Sequence, residues 1–569
     1  MKNKILTLLL ILSFGFANES KVNKIIVNID TNENINLSKE IFQEYNPNIS
    51  SADNIDFKSA LENLDDILEK KDNKSSVLVI GSNILNENEL KDKLSPYIGK
   101  DIDNELIEEI KNDVISELNK KGYYFFAINV SEKNSECDSL QIDVTLGRLG
   151  KVNVKGSDHY PKERIAKEIK TCPGEIINPY FIEKDLMWIN ENPYRSVSLI
   201  YSPGERKGTT DITLDVHDRH YYRVYSGYEM TDNNVAGNNR FFAGLNLGKL
   251  FLDSQLNYQF MFAPNVNRWY AHSASLIMPL PIRHMIKIFG SYVETHPRSL
   301  TNFDLTGRSW TINFNYVVPK IINENIKYQV MLGYNFQRTN NFTDFINDTI
   351  IYNNVDISEF ILNFDINFND RLGSTQLTVN GFFSPGKMSR YNKTSYFKDV
   401  RKGASAGYAY FNAAVDRIFN LSHKMKYFLS FKGQLSGAKL LPTEEFSLGG
   451  FHTVRGYKEN DLVGDFGYLI RNEFHAPPLR CFSYLNLFDG RFKKSDEKLI
   501  FLGFIDYGRA FEIDKNVQDR KSSWLLSMGP GMRYSINENL FFRLDYGWQV
   551  NRVIYDQKNQ WHLQLLLSY

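Results

Sequence analysis

The 569-residue sequence has only three cysteines, Cys137, Cys172 and Cys481, far apart and odd in number. An exported chain could pair two of them, but three excludes a disulfide framework. No Cys-x-x-Cys or His-x-x-x-His spacing occurs and the ten histidines are scattered, so no metal site is indicated. There is no charge excess: 67 basic residues face 67 acidic ones, which argues against a dedicated nucleic-acid binder. Gly248-Lys249 lacks the glycine-rich spacing of a phosphate loop. No nucleophile–base constellation points to an enzyme, and no cofactor is implied. Beyond the first residues no run is long and apolar enough to cross a bilayer as a helix. The mature chain is therefore either soluble or crosses as a closed barrel, because in lipid only helices and barrels satisfy every backbone group.

What the chain does have is aromatics, 40 Phe and 32 Tyr, as aromatic girdles at two membrane interfaces require. Met1 to Ala17 reads as a secretion signal: lysines at 2 and 4, an apolar run from Ile5 to Phe16, and small residues Gly15 and Ala17 near the cleavage position. Residues 18–75 are polar, apart from an apolar stripe of Phe57, Ala60, Leu61, Leu64, Ile67 and Leu68 at helical spacing. From 76 to 218 an α+β pattern runs twice. The first copy, 76–147, predicts a strand at Val77–Ile80, a short helix at Glu89–Leu94 and a longer one carrying Leu106, Ile110, Val114 and Leu118. Strands at Tyr123–Val130 and Leu140–Leu146 complete it. The second copy, 148–218, predicts a strand at Lys151–Val154, a helix at Glu163–Ile169 and a helix opened by Asn178-Pro179 and closed by Pro193. Strands follow at Val197–Tyr201 and Thr210–Val216.

From 219 to 569 strict alternation replaces helical periodicity. Leu540, Phe542, Leu544, Tyr546, Trp548 and Val550 share one face against Arg543, Asp545, Gly547 and Gln549. Tyr427, Leu429, Phe431 and Leu435 likewise oppose Lys426, Ser430, Lys432, Gln434 and Ser436. About 16 such segments can be counted, with short connections (422–424, 537–539) alternating with long ones (385–407, 441–464), as membrane barrels have. A soluble sandwich also alternates; the aromatics near segment ends and the thoroughly polar second face favour the barrel. The loop holding Lys387, Arg390, Lys393, Lys398, Arg401 and Lys402 reads as a solvated basic loop.

The sharpest motif lies before the twelfth segment. It runs Leu448-Gly449-Gly450, then Val454-Arg455-Gly456-Tyr457. Phe504, Asp506 and Gly508 follow in the thirteenth, on the face opposite Phe501, Ile505 and Tyr507, so Asp506 is expected in the lumen. These residues resemble the Omp85 superfamily and, within it, the TpsB-type transporters of two-partner secretion. The run from Glu183-Lys184-Asp185-Leu186 to Gly208-Thr209-Thr210-Asp211 is similar to the second POTRA domain of those proteins. The resemblance implies a mixed fold: two periplasmic α+β POTRA domains followed by a transmembrane antiparallel β-barrel of about 16 strands. It implies that the 441–464 loop folds inward and that Arg455 pairs with Asp506 on the wall. It suggests residues 54–70 as a pore plug, and Tyr569 as the C-terminal signal for assembly of the barrel.

The implied function is outer-membrane export of one large secreted TpsA-type exoprotein, an adhesin or a haemolysin, with haemolysin activation as a family variant. Implied partners are that exoprotein, outer-membrane lipid or lipopolysaccharide, and the barrel-assembly machinery during biogenesis. Two other functions compete. An insertase would carry further POTRA domains; a diffusion porin or receptor would need neither those domains nor the Val-Arg-Gly-Tyr loop.

Overall fold

The structure, a computed structural model, describes residues 76–80, 93–97, 103–133, 139–233, 237–296, 303–345, 348–480, 496–513, 524–551 and 559–569. The signal segment, the stripe at 57–68, most of Glu89–Leu94, Cys137 and Cys481 lie outside these residues. Cys172 is exposed and unpaired with another cysteine.

The first α+β segment contains β1 (Ser76–Ile80), α1 (Asn104–Lys120), β2 (Phe126–Lys133) and β3 (Ser139–Leu146), the strands forming a sheet of order β1-β3-β2. Asp103 caps α1, its Oδ1 accepting from the Leu106 amide at 2.7 Å. The helix ends at Gly122, which adopts φ +82°. Its buried stripe is Leu106, Ile110, Val114 and Leu118. Strand β2 begins three residues later than the aromatic run suggested. Tyr123 to Phe125 bridge helix and sheet, and the Phe125 carbonyl accepts from Gly147 instead.

The second comprises β4 (Arg148–Lys155), α2 (Lys162–Ala166), α3 (Pro179–Ile189), β5 (Arg195–Pro203) and β6 (Thr209–Asp218), with sheet order β4-β6-β5. Asn178 caps α3 through the Tyr180 amide and Pro179 occupies the first turn, where its missing N–H costs nothing. Helix α2 stops short of Ile169: the Lys170 amide is taken by the Asp185 carboxylate of α3 at 2.7 Å. Ile165, Ile177, Ile182, Ile189, Ile212 and Leu214 form the core between helices and sheet.

The rest is a closed antiparallel barrel. Its strands are β7 (Tyr222–Asn233), β8 (Gly237–Leu247), β9 (Gln255–Phe262), β10 (Trp269–Pro279), β11 (Met285–Thr295), β12 (Phe303–Ile321), β13 (Ile326–Phe345), β14 (Asp348–Asp370), β15 (Gly373–Ser384), β16 (Tyr408–Asn420) and β17 (Lys426–Ser436). Within the following loop lie β18 (Phe446–Leu448) and β19 (Leu462–Gly464). The barrel resumes with β20 (Phe466–His475), β21 (Glu497–Phe511), β22 (Trp524–Ile536), β23 (Leu540–Gln549) and β24 (Gln560–Ser568). Leaving out β18 and β19, 16 strands close the wall when β24 pairs β7, from Gln564↔Glu229 to Ser568↔Tyr225. Tyr569 completes this seam, exchanging backbone hydrogen bonds of 2.9 and 3.1 Å with Val224. Closure leaves no edge strand, the condition for a sheet in lipid. Among the described residues no helix is long and apolar enough to span a membrane.

Directly paired residues share a face, so the register carries one face around the whole barrel. Ile312, Leu332, Leu362, Phe411, Leu435 and Trp561 lie outward and are 52–71% exposed. An apolar belt of this extent belongs against lipid tails. The inward face carries polar pairs such as Gln329–Asp365 and Asn363–Asn380, each at 2.8 Å. Below the long loop, however, it turns apolar, with Leu502, Phe504 and Leu525 buried. Connection length follows the alternation only in part. Residues 385–407 and 437–465 are long on one rim, but 476–496 is long on the other, where 371–372 and 537–539 are short. The ladder fixes register, not the length of what joins the strands.

The second α+β unit is seated on the barrel rim. Arg283, in the turn between β10 and β11, binds Asp185 at 2.6 Å and donates to the Glu168 carbonyl at 2.6 Å. Asp253 faces Arg164 and Arg195, and Gly248 lies so close to Tyr194 that a Cβ there would stand 2.0 Å from the ring.

The outward assignment is testable. Leu332→Arg is expected to cost about 2–4 kcal/mol of barrel stability if it sits near the bilayer midplane. Ser273→Arg, on the inward face, is expected to be nearly neutral. Refolding into lipid vesicles against denaturant, followed by the heat-shifted migration of the folded barrel, measures both.

Candidate functional site: a loop latched inside the barrel

The connection from β17 to β20 does not stay outside. Strands β18 and β19 pair as a hairpin, with Leu448 opposite Leu462, and pack on β21 of the wall. The hairpin continues into a tip that reverses at glycines. Gly449 and Gly450 adopt φ +103° and +96°, and Gly456 adopts +86°, a region that side chains disfavour. Leu448, Val454, Tyr457 and Leu462 are almost wholly buried against Leu469, Ala510 and Leu525 of the wall. Gly508 makes room for this: a Cβ there would stand 2.7 Å from Leu448. Phe451 is buried too, beneath the Arg543 guanidinium at 3.8 Å.

Arg455 is the centre of the tip and has no exposed surface. Its Nε donates to Asp506 Oδ2 at 2.6 Å and its Nη2 to Asp506 Oδ1 at 2.8 Å, the two-pronged geometry that matches guanidinium to carboxylate. The Arg455 backbone N–H adds a third contact to Asp506 at 3.2 Å. The remaining prong, Nη1, reaches Glu473 of β20 at 2.6 Å and Asp545 of β23 at 3.4 Å. One face of the guanidinium stacks on Phe504, 3.6 Å from the ring centroid. Three wall arginines share the carboxylates with Arg455. Arg471 approaches Asp506 and Glu473 at 3.5 and 3.6 Å, while Arg533 and Arg543 hold Asp545 at 2.6 and 2.7 Å. His475 joins Glu473 at 2.8 Å.

The neighbours of Arg455 are held by backbone contacts. The Gly456 amide donates to His562 Nε2 at 2.8 Å, and Gln549 donates to the Gly456 carbonyl at 2.6 Å. Gly456 lies against Gly547, where a Cβ on either residue would come within 2.8 Å of the other's backbone. The Tyr457 hydroxyl sits 2.8 Å from the Leu526 carbonyl and 2.6 Å from that of Asn551.

Of the residues singled out from the sequence, Gly449, Gly450, Val454, Arg455, Gly456 and Tyr457 thus converge with Phe504, Asp506 and Gly508 in one cluster. Tyr569 lies elsewhere, at the seam, 85% exposed. Sequence reasoning missed Glu473, Asp545, Arg471, Arg533, Gly547, His562 and Asn551. The only available signal was alternation, which places Asp545 and Gly547 on the polar face of β23 without saying what they meet. The basic-loop reading also changes. Arg401 is not solvated: its side chain is 18% exposed and bound to Asp465. Among the described residues no group of His, Cys, Asp or Glu is arranged to hold a metal ion.

A loop folded into a closed 16-stranded barrel, behind α+β units, is an architecture with known relatives. Residues 208–534 match the family described as haemolysin secretion/activation protein ShlB/FhaC/HecB. The chain belongs to this family. It is a two-partner secretion transporter of the outer membrane, it exports a partner exoprotein, and it is not an enzyme. Residues 147–219 match the POTRA family, described as surface antigen variable number repeat, and the POTRA region is periplasmic. Curated relatives include outer membrane transporter CdiB-2 of Burkholderia pseudomallei, 23% identical over 68% of this chain and 67% of that protein. Outer membrane transporter CdiB of Dickeya dadantii is 24% identical over 67% of this chain and 68% of that one. Among solved structures, CdiB from Escherichia coli superposes with TM-score 0.71 at 15% identity, covering 94% of this chain and 98% of that one. CdiB from Acinetobacter baumannii gives 0.62 at 15% identity, covering 95% of this chain and 100% of that chain. Both support the fold.

Because the tip approaches the wall backbone to backbone, Gly547→Ala is expected to lift it as effectively as Gly456→Ala, while the barrel still assembles. Val454→Cys, in a transporter whose three native cysteines are replaced by serine, reports this. Its thiol should resist a maleimide in the parent and react once either glycine is changed. Continued protection with Gly547→Ala would show that the tip is not held by this contact.

Proposed function

We propose that the loop tip is the inner gate of the export path and that Arg455–Asp506 is the clasp that holds it shut. The observation that carries this is the complete burial of Arg455 among Asp506, Glu473 and Asp545 inside the wall. Removing one member of a buried ionic set leaves the others unpaired, at a cost of about 3–5 kcal/mol. The parted groups would meet water in the lumen, so displacement of the whole loop is cheaper than that figure suggests.

In this reading the region 76–147 is a first POTRA domain and 148–218 a second. The unfolded exoprotein docks on them in the periplasm, an extended segment adding to a sheet edge such as β5, where main-chain hydrogen bonds supply affinity. The chain then enters the lumen and displaces the tip. With no nucleotide available, folding of the exoprotein outside the cell supplies the direction. Residues 54–70 act as a further plug. Tyr569 serves the barrel-assembly machinery by completing the last strand, and the outward aromatics meet outer-membrane lipid.

The test compares the secreted proteins of wild type, a deletion strain and Arg455→Ala, with barrel levels checked by blotting. Loss of one large protein from the medium or cell surface in both mutants, other barrels being normal, is the expected result. A general fall in outer-membrane proteins would instead indicate an insertase. Unchanged secretion in both would mean that this chain conducts without exporting.

A further inference from the structure

The tip-bearing loop has a second ionic anchor, at its root. Asp465, the last residue before β20, is fully buried. Its Oδ1 accepts from the Leu440 amide at 2.9 Å and its Oδ2 from the Ile513 amide at 3.0 Å, so one carboxylate ties both ends of the loop to the connection that follows β21. Arg401 closes this arrangement from another direction. It belongs to the 385–407 loop, where it ends the short helix α4 (Thr394–Val400). Its guanidinium meets Asp465 in a two-pronged contact at 2.5 and 3.3 Å, Glu445 at 2.9 Å and the Leu440 carbonyl at 2.6 Å.

The surrounding packing joins the same two loops. Phe397, Ala404 and Ala406 of the 385–407 loop share a buried cluster with Leu440 and Leu441, on an inward wall patch of Val355, Ile357, Tyr408 and Tyr410. Glu444 is held from the wall as well, accepting from Tyr410 at 2.5 Å, and its carbonyl accepts from Gln434 at 2.9 Å. The 385–407 loop thus folds in against the wall at the extracellular rim, and Arg401 fastens it to the root of the tip-bearing loop.

We infer that Arg401 is a positioning residue for export: it latches the 385–407 loop to the root of the tip-bearing loop, so that the extracellular mouth opens only when the Arg401–Asp465 pair parts. The inner clasp at Arg455 and this outer latch are separate contacts with no shared residue. A chain ascending the lumen meets them in turn.

The experiment needs no exoprotein, so it is independent of the export assay above. Purified full-length transporter is reconstituted in planar bilayers, and an Ala404→Cys version without native cysteines is exposed on intact cells to an impermeant maleimide. Ala404 is fully buried, so the parent should be protected. Arg401→Ala should assemble with the usual heat-shifted migration, raise the open fraction several-fold, and speed labelling roughly tenfold or more, as expected when a charge-assisted two-pronged contact is lost. Arg401→Lys, which keeps the charge but not the fork, should fall between Ala and wild type. Arg455→Ala should leave the Ala404→Cys thiol protected. Wild-type open fraction and protection in whichever Arg401 variant assembles would overturn the inference. Failure of both variants to assemble would make the pair a folding element instead, and would overturn it equally.

Discussion

Everything in this molecule depends on a constraint of the bilayer: a backbone amide in hydrocarbon has no partner except another part of the chain. The wall must therefore close, and β24 closes it against β7 with Tyr569 adding the last pair of bonds. A closed wall turns one face of every strand toward lipid and the other toward a shared interior. It also fixes that interior. Glu473, Asp506 and Asp545 come from three strands, yet their carboxylates converge on one guanidinium because the ladders between β20, β21, β22 and β23 leave no freedom of register.

That rigidity explains why the tip is ionic where it binds and glycine-rich where it bends. An apolar tip would hold at least as firmly, since a buried ion pair gains little over hydrophobic packing of equal volume. The difference is what happens on release. Leu448 and Val454 lose favourable contacts when they leave the wall, whereas Arg455 and its carboxylates exchange one set of hydrogen bonds for water. The apolar residues supply fit, and the charges supply an interface that can part and re-form. Gly456 against Gly547 brings the two backbones close enough for the Gly456 amide to reach His562. Any side chain there would hold the guanidinium away from its fork.

The barrel was legible because period-two alternation is a direct consequence of the pleat, and residues such as Phe542 to Val550 display it without interruption. Helix α1 was legible for the same kind of reason, Leu106, Ile110, Val114 and Leu118 recurring at helical spacing. The tip was legible through its glycines, arginine and downstream Asp506, read as a resemblance to a family and not as geometry. What could not be read were contacts made by strands distant in sequence. Nothing local distinguishes Asp545 from other polar residues on an inward face, and nothing in the basic run around Arg401 separates the one half-buried, ion-paired arginine from its solvated neighbours. Burial of a charge is decided by the partner that reaches it, and for Arg401 that partner lies 64 positions away. Loop length escaped too: 476–496 is long on the rim where short turns were expected, because turn length lies outside the pattern that reveals strands.

The two anchors also bear on how the path reseals. The tip-bearing loop is tethered to the wall at both ends, by β17 and β20, so a displaced tip never leaves the neighbourhood of its site. Rebinding is intramolecular, with an effective concentration in the millimolar range for a tether of this kind. With the root still held by Asp465, the freely moving part shortens to the residues between Leu440 and Asp465, and the search narrows further. If the root also parts, the tip must find its site from a longer and looser tether. Opening in which the tip yields while the Asp465 contacts at the root hold therefore leaves the loop poised to close behind the departing chain, which clears the tip on the wall before it clears the mouth.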